Sequence, residues 1–294
     1  MDKQFGGFII TYQRPEDLLN TINQVFAQSF PPQKLWIIDN SADQVTKTAI
    51  QNLNDPRLVY YAVGYNSGPA GAAKIGLEML TKEGFQWIYW GDDNDPPPYP
   101  YTFERLFSLI QSNLHLKVGQ VGVVGQRFDK NLGKTLRLKN IELEQSPVVA
   151  VDTISGNQSK IINSAVIREG ILTSPELFFG FEELDFDLKM GSSGYLSLVD
   201  SRIFLELREK YQRAQFERPV YSKKSSNSIS REYYSIRNLL WILRKNRMMV
   251  AYWINVGKSI SKMLIGFRFG WNYGVLNMNI VFKGLKDGVL KGLE

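Results

Sequence analysis

The sequence predicts an α/β fold, a mostly parallel sheet flanked by helices, with a helical, basic and aromatic region at the C-terminal end. Three observations carry that prediction. Strand-like apolar runs alternate with helix-period segments through the first hundred or so residues, the pattern of parallel strands joined by crossover helices. The run Trp87-Ile88-Tyr89-Trp90 is apolar without interruption, as a strand covered on both faces reads. The charge is also one-sided, since residues 231–294 hold 11 Lys and Arg against 3 Asp and Glu, while residues 1–230 hold 24 against 26. The expected division is therefore 1–230 and 231–294.

Taken in order, residues 5–11 form a first strand, and Arg14-Pro15-Glu16-Asp17 opens a helix over about 15–29. Leu18, Leu19, Ile22, Val25 and Phe26 share one face of that helix. Pro31-Pro32 ends it. Residues 35–38 are a second strand stopping at Asp39-Asn40-Ser41, a helix spans 45–53, and 58–62 is a third short strand. Asn66-Ser67-Gly68-Pro69-Ala70-Gly71 then opens a helix over 72–81. The strand at Trp87 is closed by Pro96-Pro97-Pro98, because proline cannot continue a ladder. A helix over 102–114 carries Phe103, Leu106, Phe107 and Ile110 at core spacing, with His115 as its C-terminal residue. Residues 118–127 and 148–154 read as further strands and 130–145 as an exposed ribbon. Ser155-Gly156-Asn157 reads as a tight turn, and 161–171 as resumed apolar spacing.

Composition excludes several chemistries. With 44% hydrophobic and 22% charged residues the 294-residue chain is an ordinary globular one. It has no cysteine, so disulfides, thiolate catalysis and cysteine zinc sites are out. A single histidine excludes a Ser-His-Asp triad and a multi-histidine metal site, which leaves a carboxylate as the natural general base. The first apolar run is too short for a signal peptide, and none approaches the roughly 20 residues of a spanning helix. These features predict a cytoplasmic protein.

Two acidic constellations stand out. Asp92-Asp93-Asn94-Asp95 puts three carboxylates within four residues at the end of a buried strand, where mutual repulsion calls for a hard cation such as Mg²⁺ or Mn²⁺. An acidic turn capping the next helix uses the same residues. In open α/β sheets ligands bind beyond the carboxyl ends of strands, and Thr11 with Arg14, Asp39 with Asn40, and the Asp92 cluster all fall there. An aspartate after a second strand suits a ribose or base, and an arginine after the first suits a diphosphate. Asn66 to Gly71 suits close approach of an anion at a helix start. No G-x-G-x-x-G follows the first strand, so the pattern points to a nucleotide but not to a dehydrogenase. The second constellation is Phe178-Phe179-Gly180-Phe181-Glu182-Glu183-Leu184-Asp185-Phe186-Asp187, four carboxylates hemmed by aromatics. Glu182 and Glu183 fit the first turn of a helix running through Leu188 and Met190, and a carboxylate among aromatics suits a general base. An acidic helix start with Phe181, Leu184 and Phe186 packing inward accounts for the pattern equally.

These stretches, in this order and spacing, resemble a family 2 glycosyltransferase of the GT-A fold, near its rhamnosyltransferase and galactofuranosyltransferase-like branch. The resemblance rests on Thr11-Tyr12-Gln13-Arg14, Ile37-Ile38-Asp39-Asn40-Ser41, Asn66 to Gly71, Asp92 to Asp95 and Phe179 to Phe186, and covers about residues 5–210. It implies an inverting transfer of a sugar from a nucleoside diphosphate, UDP or dTDP foremost, to a glycan or lipid-linked glycan acceptor of the cell envelope. Asp93 and Asp95 match the D-x-D aspartates that hold the diphosphate through the metal, with Asp92 as an alternative register. Asp39 matches the residue contacting base or ribose; Thr11, Tyr12, Arg14, Asn40, Asn66 and Gly71 would line the nucleotide. Glu183 matches the base that deprotonates the acceptor hydroxyl, flanked by Glu182 and Asp185.

Two departures stand against the family's pattern. Aspartate is more usual where Glu182 and Glu183 stand, and many relatives supply a metal-ligating histidine downstream, whereas no histidine follows His115. A catalytically silent nucleotide-sugar-binding or scaffold protein of the same fold is the alternative these departures favour. In the tail, Ile236, Leu239, Leu240 and Leu243 share a helical face among Arg237, Arg244, Lys245 and Arg247. This suits an amphipathic helix on an anionic membrane surface, peripheral on the inner face of the plasma membrane. It suits equally a helical pair that covers the catalytic domain or forms a homo-oligomer. A nucleic-acid partner would leave both acidic clusters unexplained.

Overall fold

The computed structural model describes residues 5–155, 159–212 and 223–292. Gly156 and Asn157 of the expected turn lie outside the described residues. The chain divides into two compact units. The first comprises Met1–Arg127, Arg137–Pro175 and Glu183–Ala214, and the second Phe128–Leu136, Glu176–Glu182 and Gln215–Glu294.

The first unit is built on an eight-stranded sheet. In chain order its strands are β1 (Phe5–Thr11), β2 (Leu35–Asp39), β3 (Leu58–Ala62), β4 (Trp87–Asp92), β5 (Val118–Gly122), β8 (Val148–Val151), β9 (Lys160–Asn163) and β10 (Leu196–Asp200). A hairpin of β6 (Gln126–Asp129) and β7 (Lys134–Arg137) is separate from it. The spatial order is β3-β2-β1-β4-β9-β5-β10-β8. Pairing is parallel from β3 through β4 and between β5 and β10, while β9 runs antiparallel to β4 and β5, and β8 antiparallel to β10. The helices are α1 (Pro15–Phe26), α2 (Val45–Leu53), α3 (Gly68–Lys82), α4 (Thr102–Ser112), α5 (Asn140–Glu144), α6 (Ser164–Arg168), α7 (Glu182–Ser192) and α8 (Ser201–Lys210).

The mostly parallel, helix-flanked sheet is as the apolar runs predict, and the differences are local. The run expected as one strand over 118–127 breaks after Gly122 and resumes as β6. The stretch read as a ribbon over 130–145 holds β7 and the short α5, and 161–171 divides between β9 and α6. Side chains alternate between two cores. Phe5, Ile9, Trp87 and Tyr89 face Leu18, Ile22 and Phe103 on one side. Phe8, Ile10, Ile88 and Trp90 face Ala73, Leu77, Phe186 and Met190 on the other. Both faces are covered, which is why β1 and β4 read as unbroken apolar runs.

One polar pair lies inside the second of these cores. Lys160, opposite Trp90 in the β4–β9 register, forms a 2.7 Å ion pair with Asp187 of α7, and both side chains are 0% exposed. Ile154 completes the set, its N–H donating to Asp187 at 2.9 Å and its carbonyl accepting from Lys160 Nζ at 2.9 Å. The Lys160 ammonium also lies 4.9 Å from the Trp90 ring centroid and 5.2 Å from that of Phe186. These contacts fasten α7 to the sheet beside the end of β4.

The second unit contains α9 (Ser226–Ser230), α10 (Glu232–Lys245), α11 (Met249–Ile265) and α12 (Trp271–Leu290). Gly284 and Gly288 of α12 meet Tyr233 and Leu240 of α10 so closely that a Cβ would stand 2.8 Å from them. Glu232 is 3% exposed and pairs with both Lys224 and Lys262. Burial opposes its ionisation, but the two ammonium groups win and hold its carboxyl below the usual range.

Removing one partner of a buried ion pair strands the other charge. Lys160→Met is expected to cost about 3–5 kcal/mol by urea denaturation. Lys160→Met with Asp187→Asn should cost less than Lys160→Met alone, because the amide is neutral and still accepts from Ile154. Losses that simply add would refute the pairing.

Candidate active site

The carboxyl ends of β1, β2 and β4 stand side by side, with Thr11 opposite Asp39 and Ile10 opposite Asp92. This gathers the strand-end residues from three separate stretches onto one rim. Proline at 96–98 and the turn after Thr11 stop the strands there.

Asp93 knots the rim together. Its Oδ2 accepts from Thr11 Oγ1 at 2.9 Å and from the Tyr12 N–H at 3.4 Å, and its Oδ1 accepts from Arg14 at 3.3 Å. The Asp93 carbonyl accepts from Thr21 Oγ1 at 2.7 Å. Burial raises the Asp93 carboxyl above its ordinary range against the opposing pull of Thr11, Arg14 and the Tyr12 N–H. Gln13, in the left-handed region at φ +55°, donates its N–H to Ser41 Oγ at 2.8 Å. A non-glycine residue held in that region marks a turn fixed by its surroundings.

The β2 end is equally well tied. Asp39 accepts from the Ser41 N–H at 2.8 Å and from the Tyr60 hydroxyl at 2.9 Å. Burial first, then Asp39, pushes the Tyr60 hydroxyl well above its ordinary pKa. Asn40 accepts from Ser67 N–H and Oγ at 3.1 and 2.8 Å and donates to the Gly68 carbonyl at 3.3 Å. Asn66 accepts from the Gly68 N–H at 3.0 Å. Gly71 is required by packing, since a Cβ there would lie 2.7 Å from Ser67 Cβ. Asp39, Asn40 and Asp93 are thus buried and hydrogen-bonded, while Tyr12, Arg14, Asn66 and Asp92 are reached by solvent and can meet a ligand directly.

Asp92 is the perturbed carboxylate. Water reaches it, yet protein crowds its carboxyl group closely enough that loss of hydration is the largest cause of its shift. The Asp93 charge follows, and Glu183 adds to it, against the Asp93 N–H and Arg14, so that its pKa is pushed up to about 6. Glu183 therefore lies within electrostatic reach of Asp92. The four carboxylates of α7 separate by environment. Asp187 is paired with Lys160, and Asp185, 1% exposed, accepts from Ser174 Oγ at 2.7 Å and pairs with Lys189. Glu182 is buried, and Glu183, in the first turn, is half-buried. Of the four, Glu183 combines solvent access with proximity to Asp92.

A divalent cation fits this donor set only with help. Among the described residues no group of three or more His, Cys, Asp or Glu side chains could hold a metal ion. One or two carboxylates under mutual repulsion, completed by phosphate oxygens and water, is how Mg²⁺ and Mn²⁺ are commonly bound. The crowding at Asp92 is what such an ion would relieve.

Residues 8–159, just over half of the chain, match the sequence profile of Glycosyl transferase family 2. The chain belongs to that family. A galactofuranosyltransferase, GlfT1 of Mycolicibacterium smegmatis, is 25% identical over 105 residues, 36% of this chain. The match spans about a third (34%) of that relative's length. Among solved structures, the mannosyltransferase PcManGT of Pyrobaculum calidifontis, in complex with GDP-Man and Mn²⁺, superposes with a TM-score of 0.57 at 10% identity, covering 99% of this chain and 87% of that one. TarS 1-349 of S. aureus, in complex with UDP, gives 0.53 at 15% identity, covering 96% and 90%. At such identities the likeness establishes the GT-A fold of this glycosyltransferase.

Sequence reasoning did not single out Lys160, Tyr60 or Thr21. Lys160 heads the apolar run Ile161-Ile162, where a lone lysine reads as a solvated strand start. Its burial depends on Asp187, which no local pattern connects to it.

In the unfolded chain Asp92 ionises in the ordinary carboxylate range, whereas in the folded protein its pKa is pushed up to about 6. The folded state therefore holds the proton more tightly, so ionisation costs stability progressively between those pH values and fully above them. Asp92→Asn is expected to raise the metal-free melting temperature at pH 7.5, with the gain shrinking as pH falls toward 4. A gain independent of pH would exclude charge repulsion as its cause.

Proposed function

We propose that this family 2 glycosyltransferase is an inverting, nucleotide-sugar-dependent enzyme in which Glu183 is the general base. The observation that supports the reading is that the charge of Glu183, a half-buried carboxylate, is felt at Asp92 on the strand-end rim. The acceptor oxygen forms its bond to the anomeric carbon as the bond from that carbon to the diphosphate breaks. The hydroxyl proton passes to Glu183, and the nucleoside diphosphate leaves.

Arg14, with nearly half of its side chain exposed, would meet the diphosphate, and the exposed Tyr12 and Asn66 would meet the nucleoside. Asp95 with Asp92 would hold Mg²⁺ or Mn²⁺. Asp92 fills this part better than Asp93, whose two oxygens are already taken by Thr11, Tyr12 and Arg14. When bound, the cation offsets charge developing on the departing diphosphate. UDP or dTDP is the donor nucleotide we favour. The UDP complex of TarS and the GDP-Man and Mn²⁺ complex of PcManGT support a nucleotide-sugar and metal reading in this fold.

A glycan or lipid-linked acceptor brings an anionic bilayer surface into the reading. No described helix is long and apolar enough to cross a membrane. However, Val250, Trp253, Ile260 and Leu264 recur along α11 at spacings of three, seven and four and are all exposed. No Asp or Glu occurs from residue 233 to 286, whereas nine Lys and Arg do. A second copy would oppose positive charge with positive, and anionic headgroups would complement it.

Glu183→Gln is expected to lower kcat at least 10³-fold, on the order of a lost general base, while calorimetry shows donor binding within about twofold of wild type and dependent on Mn²⁺ or Mg²⁺. Full turnover in that variant would remove the base. Equal donor affinity in excess EDTA would remove the metal, and a wild-type protein that binds donor without ever transferring it would favour the silent alternative. Separately, the full chain should co-sediment with phosphatidylglycerol vesicles but not phosphatidylcholine ones, and Trp253→Ser with Leu264→Ser should abolish this. Equal recovery with both vesicle types, or none with either, would dispose of the surface.

A further inference from the structure

Two tethers hold the helix that carries Glu183, and Glu183 and every residue of both tethers belong to the first compact unit. One tether is the pair of Lys160 with Asp187. Asp187 lies four residues beyond Glu183 on α7, so the two side chains leave nearly the same face of the helix, one turn of about 5.4 Å apart. Lys160 stands opposite Trp90, and Asp92 follows two residues later on the same face of β4, a step of about 6.6 Å. The two steps nearly match. The rings of Trp90 and Phe186, 6.1 Å apart between centroids, pack the helix against that strand. With Asp187 pinned beside Trp90, Glu183 comes level with Asp92, which feels its charge.

The other tether leaves α7 from Asp185, which accepts from Ser174 Oγ at 2.7 Å. Lys189 braces this contact by donating to Asp185, to Ser174 Oγ at 2.7 Å and to the Leu172 carbonyl at 3.0 Å. The neighbouring Thr173 donates through Oγ1 to the Ala70 carbonyl at 2.8 Å. Ala70 lies in the first turn of α3, the helix opened by the Asn66 to Gly71 turn of the nucleotide rim. Thr173 and Ser174 are 3% and 7% exposed, so their hydroxyls join α7 to α3 and meet no ligand. A helix held at one point can swing about it. Anchors at 185 and 187, made to different elements, remove that freedom. We propose that Thr173, Ser174 and Lys160 are positioning residues for sugar transfer: through Asp185 and Asp187 they set the distance and angle at which Glu183 faces the acceptor hydroxyl. The inference rests on the reading of Glu183 as the base. A displacement of about 1 Å in a reacting group can cost about 10²-fold in rate, so tethers of this kind have a kinetic signature.

The test uses the full-length protein with Mn²⁺. It follows release of nucleoside diphosphate from whichever UDP-, GDP- or dTDP-sugar wild type turns over fastest, beside donor Kd by calorimetry and melting temperature. Thr173→Val keeps the shape and loses the hydroxyl, and Ser174→Ala removes the bond to Asp185 while leaving Lys189 in place. Each should lower kcat about 10- to 100-fold with donor Kd within about twofold. Thr173→Ser, which keeps the hydroxyl, should restore most of the loss. Lys160→Met with Asp187→Asn should show the same split between kcat and Kd, and the two hydroxyl variants, each losing one neutral group, carry the test if that pair fails to fold. Because the tethers act through Glu183, Thr173→Val should cost no more than about twofold in a Glu183→Gln background. Wild-type kcat in the folded hydroxyl variants, losses that match the fraction of protein unable to bind donor, or equal losses in both backgrounds would overturn the positioning role. Glu183→Gln alone separates the two ideas: if it is inactive while the tether variants turn over normally, the tethers alone fall, and if it turns over like wild type, both do.

Discussion

A lysine and an aspartate with no access to solvent hold the arrangement of this site. Dehydrating both charges is expensive, and a buried pair is tolerated only when geometry and additional hydrogen bonds compensate. Ile154 supplies them from both its N–H and its carbonyl, and the rings of Trp90 and Phe186 lie near the ammonium group. The pair's position matters more than its net energy. Lys160 sits opposite Trp90, two residues before Asp92, and Asp187 lies one helical turn beyond Glu183. Fixing Lys160 to Asp187 therefore fixes α7 in rotation and height against β4. The separation of the two acidic neighbourhoods follows from it.

Those neighbourhoods are arranged against their own stability. Asp92, Asp93 and Glu183 are like charges brought together with incomplete hydration, and the raised Asp92 pKa records the result. Asp93 is the member whose charge is answered inside the protein, by Thr11, Tyr12 and Arg14. It holds the rim in shape, and Asp92 is left facing outward. Backbone strain is found there too, since Gln13 at the β1 end has a left-handed backbone. A fold selected for stability alone would relieve both kinds of cost, and functional sites are where such costs are retained.

Much of this was readable along the chain. The strand ends at Thr11, Asp39 and Asp92, the helix opened by Asn66 to Gly71, and the helix start at Glu182 all come from local rules of periodicity, turn chemistry and proline placement. The antiparallel β9 was not readable, because Ile161-Ile162 is too short a run to reveal its partners or their direction. Nor could sequence rank the four carboxylates between Glu182 and Asp187, which are alike in type and spacing. Arg237 read as one of the charged residues around an amphipathic face, whereas it is buried against backbone carbonyls.

The sequence by itself determined the class of sheet, the rim on which polar residues would gather, the exclusion of thiol and histidine chemistry, and the family likeness. Each depends on residue types and their near neighbours, which the chain states directly. The tertiary structure alone decided which carboxylates are answered by which cation or hydroxyl within the protein. That choice is made by side chains distant in sequence, Lys160 for Asp187, Lys189 and Ser174 for Asp185, Thr11 and Arg14 for Asp93. A charge's environment is set by everything within a few ångströms, and only folding brings those atoms there.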